Sequence, residues 1–198
     1  MNHLAHLRLS PADPDWRLGS LLGDFVRGED WQRWPDRVKQ GIELHRAVDA
    51  FTDAHRCVRA SVARVDGPLR RFAPVLVDVF YDHFLLQRWH ELGPGTPVAT
   101  FAAEVYALLD LQSASLPERL RRVVPRMIEH RWLEQSRDLD GVHRVLERIA
   151  MRLSRPVPLP LGAEILACHY EAFAGDFAAF WPEVARFAQQ HHVHALRA

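Results

Sequence analysis

The stretch at residues 78–89, DVFYDHFLLQRW, constrains this chain more than any other. Val75, Leu76, Val79, Phe80, Phe84 and Leu85 recur at helical spacing, which predicts a helix with an apolar surface. Asp78, Asp82 and His83 are set into that surface. Asp78 and Asp82 are four apart and share a face, while His83 is turned about 100° from its neighbour. A carboxylate in so apolar a helix costs free energy unless an arginine, a helix N-terminus or a metal ion neutralises it. An adjacent Asp-His pair can straddle the crest of a helix and reach one divalent cation; the plain alternative is a partly exposed ion pair.

The rest of the chain also reads as helical. Val and Ile never alternate with polar residues over a strand length, and no Asn-Gly hairpin signal occurs. Helices are predicted over 16–26, from Pro35 through the early fifties, from Pro74 through the late eighties and over 100–111. Others are predicted over 116–137 with a break near Pro125, then over 139–153, 163–173 and 177–190. Gly93-Pro94-Gly95 is the strongest internal break, and Pro156, Pro158 and Pro160 read as a stiff connector. With 198 residues, 48% of them hydrophobic, the chain can bury one sizeable core. The expectation is an all-α, single-domain helical bundle over 1–198, with roughly seven to nine helices.

Composition excludes several function classes. Formal net charge is zero, so no global field favours nucleic acid or a membrane surface. Lys39 is the only lysine, so nearly all positive charge is arginine, the better fork for phosphate. No Walker A, GxSxG or strand-borne GxGxxG motif is present. Cys57 and Cys168 lack CxxC partners and read as free thiols of a reducing cytoplasm. The first residues lack the pattern of a signal peptide, and no apolar run is long enough to span a bilayer. His191, His192 and His194 are expected in a flexible tail.

Three groups remain as candidates for chemistry. Asp24 in LLGDFVRG is either a helix cap or a ligand, and Arg27, three residues on, can reach the same side. His45, Asp49 and Asp53 step by four along one helix face, which is close to metal-ligand spacing but also describes a solvated polar stripe. Asp78, Asp82 and His83 form the third group. Imidazole with carboxylate suits Mn²⁺ or Mg²⁺ better than a structural zinc, which would want cysteine. Separate helices each contributing an Asp or His is how a bundle holds a catalytic metal.

Four segments in order carry a family resemblance: MNHLAHLRL at the start, LLGDFVRG at 21–28, GIELHRAVDAFTD at 41–53 and DVFYDHFLLQRW at 78–89. Together they resemble the acyl carrier protein phosphodiesterases, distant relatives of the helical HD-type metal phosphohydrolases. The motifs cover the first half; the second half matches as a helical continuation. This chain has Asp-His where the HD name implies His-Asp, so ligand order is not carried over from that superfamily. The resemblance implies hydrolytic removal of 4'-phosphopantetheine from holo acyl carrier protein, with Mn²⁺ or Mg²⁺ required. In that chemistry Asp24, His45, Asp82 and His83 are the expected ligands. Asp49 or Asp78 serves as further ligand, general base or orienting partner, and Arg27 and Arg46 as phosphate clamps. His6 is equally well a core histidine.

Two rival readings keep the same residues: a helical metal phosphohydrolase acting on a nucleotide or small phosphoester, and a non-enzymatic helical interaction module. An acidic carrier would need a basic face. The stripe of Arg56, Arg59 and Arg64 is nearer the expected site in sequence and ranks before Arg119, Arg122 and Arg126.

Overall fold

The protein is described by a computed structural model over residues 2–195. Among these residues there is no strand, and twelve α-helices carry the fold, so the all-α expectation holds. They are α1 (His3–Leu9), α2 (Pro14–Leu22), α3 (Asp36–Ala54), α4 (Arg56–Arg64), α5 (Ala73–Gln87) and α6 (Trp89–Leu92). Then follow α7 (Val98–Leu111), α8 (Glu118–Arg121), α9 (Val124–Glu129), α10 (Leu139–Ala150), α11 (Gly162–Cys168) and α12 (Tyr170–Ala195).

The helix count exceeds the expected seven to nine because the prolines fragment the chain further than periodicity alone suggests. The segment expected as one interrupted helix over 116–137 is three pieces: α8, α9 and a 3-10 turn at Trp132–Arg137. Pro117 caps the first and Pro125 sits in the first turn of the second. Arg131 then takes left-handed φ of 49° before the third, a conformation rarely adopted by a side chain of that size. The C-terminal histidines also depart from expectation. They lie in α12, where the His192 ring meets Trp16 edge-on at 4.8 Å and Gln40 Nε2 donates to the Ala195 carbonyl at 3.2 Å.

Helix α5 is the axis. Leu76, Val77, Val79, Phe80, Tyr81, Phe84, Leu85 and Leu86 are all buried, as a helix that is apolar all round must be. Its aromatic side packs on α12, with Phe80 against Phe173 at 5.1 Å, Tyr81 against Phe177 at 5.4 Å and Phe84 against Phe177 at 5.8 Å between ring centroids. The buried apolar side chains form one cluster that runs through nearly every helix.

A second packing decides where the polar residues go. Helices α2 and α3 run side by side in the same direction, paired at their starts by Asp13 and Arg37 and in the middle by Gly19 and Gly41. A Cβ on Gly19 would sit 2.1 Å from the Val38 carbonyl oxygen, and one on Gly41 would sit 2.4 Å from that of Trp16. Only glycine on both sides permits this approach. It places the end of α2 directly beside His45.

Candidate metal centre

The segment LLGDF does not continue helically to Val26 as expected. Helix α2 stops at Leu22, and Phe25 and Val26 both return their N–H groups to the Leu22 carbonyl, at 2.8 and 3.0 Å. Asp24 therefore stands in a tight turn rather than on a helix, with its carboxylate half exposed. Asp24 Oδ1 is 3.5 Å from His45 Nε2, and Oδ2 is 3.4 Å from His3 Nδ1.

His45, on α3, is 2% exposed. Its Nδ1–H donates to the Ser20 carbonyl at 2.7 Å, which turns Nε2 towards the carboxylates. A backbone bond on one ring nitrogen that presents the other is how ligand histidines are oriented. One turn on, Asp49 reaches back: its Oδ2 lies 3.1 Å from His45 Nε2 and its Oδ1 lies 3.0 Å from His6 Nε2. His6, from α1, stacks on His45 with ring centroids 3.8 Å apart and planes 18° from parallel. Ligand atoms from His6, His45 and Asp49 all fall within 4.8 Å of one another. These three side chains could hold a metal ion, with Asp24 at the same imidazole.

The electrostatics of the four groups diverge. Burial lowers the His45 imidazole, but hydrogen bonds to Asp24 and Asp49 override it and raise the group to about 9. Burial pushes His6 down to about 3, although Asp49 opposes this, so the ring is neutral. Asp49 and Asp24 are held below the ordinary carboxylate value; burial acts against this, and the neighbouring His45 prevails. The decisive feature for a metal is His6. It is 2% exposed, and neither ring nitrogen makes a well-aligned hydrogen bond. A buried, neutral imidazole whose Nε2 faces a carboxylate at 3.0 Å and whose Nδ1 has no partner has the state a metal ligand requires.

The other expected site residues stand around this cluster rather than within the His6, His45 and Asp49 group. Asp82, 5% exposed, accepts the Ala5 N–H at 3.3 Å and so pins α5 to α1 one residue before His6. Burial raises its carboxyl to about 7. Asp78, one turn earlier on α5, is half-buried and its carboxyl is likewise raised by burial. His83 is turned away: its Nδ1–H donates to the Ser136 carbonyl at 2.8 Å and its Nε2 accepts from the Tyr170 hydroxyl at 2.9 Å. Both nitrogens are thus engaged between the 3-10 turn and α12. Arg46 donates to the Val26 carbonyl at 3.3 Å and lies over Trp31 at 5.6 Å, bracing the Asp24 loop. Arg27 is exposed on that loop, and Asp53 is exposed beyond the end of the cluster. His3 had no sequence signal beyond its place in the first motif, and the weight of His6 emerges only from its stacking on His45 and its contact with Asp49.

The acyl carrier protein phosphodiesterase family model matches residues 1–184. A protein of that name from Pectobacterium atrosepticum is 32% identical over 189 residues, 96% of this chain and 98% of the relative. The namesake from an Enterobacter species is 34% identical over 184 residues, 93% of this chain and 95% of the relative. One from Klebsiella pneumoniae is 33% identical over 189 residues, covering 96% and 98%. No solved structure matches the chain. Among the described residues no helix is long and apolar enough to cross a membrane. With nearly its whole length matched by the family model, and curated relatives of about one-third identity along it, the chain belongs to the acyl carrier protein phosphodiesterase family.

Proposed function

We propose that this protein is a cytoplasmic, metal-dependent phosphodiesterase that hydrolyses the bond between 4'-phosphopantetheine and the serine of holo acyl carrier protein. Water adds to phosphorus, the P–O bond to serine breaks and the serine oxygen takes a proton. The products are apo acyl carrier protein and 4'-phosphopantetheine. The observation that carries the reading is the buried His6, stacked on His45 with its Nε2 against Asp49, in a chain of this family.

His6, His45 and Asp49 would hold Mn²⁺ or Mg²⁺, with Asp24 completing the set. Bound there, the cation supplies positive charge to the phosphoryl oxygens and acidifies water. Asp49 also aligns the two imidazoles, one on each oxygen. Asp78, whose carboxyl burial raises, would be the base that takes a proton from an incoming water. Asp82 acts as a positioning residue, holding Ala5 and hence His6 in place. His83 buttresses α5 and is left out of the ligand set because both its nitrogens are engaged. Cys57 and Cys168 are unpaired, as a reducing compartment keeps them.

The test is incubation of holo acyl carrier protein with the enzyme and Mn²⁺, followed by intact-mass measurement of the carrier. Loss of the phosphopantetheine mass, abolished by chelation, is the expected result. An unchanged carrier with folded enzyme across several metals and pH values would refute the reading. Cleavage of small phosphoesters in its place would favour the nucleotide-type hydrolase.

A further inference from the structure

His3, at the edge of the metal cluster through its 3.4 Å contact with Asp24, also opens into a second space. This cavity of about 70 Å³ is walled in part by Asp82, Arg148 and Arg152. A cleft of about 440 Å³ shares Trp132, Arg148 and Arg152 with it and continues past Arg126 to His130. The larger volume is in the range of small-molecule sites. The smaller admits a few waters or one compact polar group, and no polypeptide.

The charges in this space are unbalanced. The Arg148 and Arg152 guanidinium carbons lie 4.3 and 5.0 Å from the Trp132 ring centroid. Two cations are thus gathered on one indole. Burial and then Arg152 lower Arg148 to about 10; burial, Arg119 and Arg126 lower Arg152. Among the described residues, none of Arg119, Arg126, Arg148 and Arg152 has a carboxylate within ion-pair distance. The hydrogen bond of Arg148 goes to the neutral Gln135, and Arg119 lies over Phe25 at 5.8 Å. The other basic stripe is different in kind: Arg56 pairs with Glu183 at 4.0 Å, Arg64 pairs with Asp176, and Arg59 donates to the Asp53 carbonyl. Arginines held together without a counter-charge, on an aromatic floor, lose least when an oxyanion joins them.

We propose that the cleft over Trp132 is an oxyanion subsite that seats a phosphate group beside the metal cluster, with Arg148 and Arg152 as its principal donors. Arg46 is committed to the Asp24 loop, so the phosphate-binding role expected of it passes to these two. The binding claim stands alone. Identifying the bound group with the phosphate of the carrier's arm rests on the proposed reaction.

The test is calorimetric titration of inorganic phosphate into the full chain, with EDTA present and ionic strength fixed. Saturable one-to-one binding is expected, weakened about tenfold or more by Arg148→Gln or Arg152→Gln and unchanged by Arg56→Gln, whose side chain pairs with Glu183. Absence of saturable binding to the wild type, or wild-type affinity in both variants, overturns the proposal. Should Arg148→Gln fail to fold because of its packing on Trp132, the exposed Arg152 and Arg126 variants decide. Carrier turnover separates the two claims. Phosphate binding without turnover sinks the reaction and keeps the subsite; turnover with phosphate affinity unaltered in the variants sinks the subsite alone.

Discussion

Gly23→Ala is the sharpest perturbation of the site, because it adds one carbon and removes nothing. Gly23 sits at φ −49° and ψ −37°, ordinary helical values, so alanine brings no backbone strain and a propensity gain of about 1 kcal/mol. Its Cβ, however, would lie 2.3 Å from His45 Cγ and Cδ2 and 2.8 Å from His45 Cβ. Carbon atoms rest about 3.5–4 Å apart, so the imidazole must retreat by more than about 1 Å. It cannot do so freely: Ser20 holds Nδ1 at 2.7 Å and His6 covers the ring at 3.8 Å. Strain of about 1–3 kcal/mol against the propensity gain leaves global stability lowered by at most about 2 kcal/mol. Misplacing a ligand by about 1 Å costs on the order of 100-fold in rate. The expected variant is folded by circular dichroism, shows a small shift in urea midpoint, and has kcat/KM for holo carrier reduced about 100-fold. A folded variant within about threefold of wild type would mean that His45 is not at the reacting centre.

His6→Ala and Asp49→Asn should each abolish turnover and the thermal stabilisation that Mn²⁺ gives the wild type, read as Tm with and without the ion; retained stabilisation by Mn²⁺ in either would remove that residue from the ligand set. Asp82 makes stability fall as pH rises: its carboxyl is held near 7 when folded against about 3.9 unfolded, so the unfolded chain sheds its proton first between those values. Asp82→Asn keeps an acceptor for Ala5 and should stabilise the metal-free protein at pH 8 relative to pH 4, by up to about 4 kcal/mol more than wild type in urea melts; parallel pH profiles would contradict this. Gly19→Ala, whose Cβ meets a backbone oxygen with no freedom to turn aside, should cost about 3 kcal/mol or more in stability, and an unchanged melt would show that α2 and α3 can part cheaply.

Much of the site was readable because helical spacing is readable. The four-residue step from His45 to Asp49 and the LLGDFVRG segment that carries Asp24 identify residues that the structure brings together. Spacing fails where direction depends on a partner far along the chain. Asp82 and His83 are adjacent, yet one faces α1 and the other Ser136 and Tyr170. Periodicity says that they diverge by a fixed angle and nothing about which side is which. His6 was ambiguous for the same reason, since a histidine on a short apolar helix looks alike whether it fills a core or caps a metal site. The basic stripes show the limit most plainly: Arg56 and Arg64 meet acids of α12 more than 100 residues later, while Arg148 and Arg152 gather on Trp132 without any.

The length of α1 has a consequence for how the site behaves in time. Seven residues are too few for a helix to persist alone in water, so α1 is held by what it touches: the Asp82 carboxylate, the His45 ring and the buried Leu4 and Leu7. A segment that carries a candidate ligand while owing its shape to neighbours belongs to the low-stability end of the molecule. Its backbone amides should exchange with deuterium before those of α5, and a bound ion should slow them selectively. The ion would then act as a clasp on the first turns of the chain, and its escape would proceed by transient detachment of α1 rather than by unfolding of the bundle.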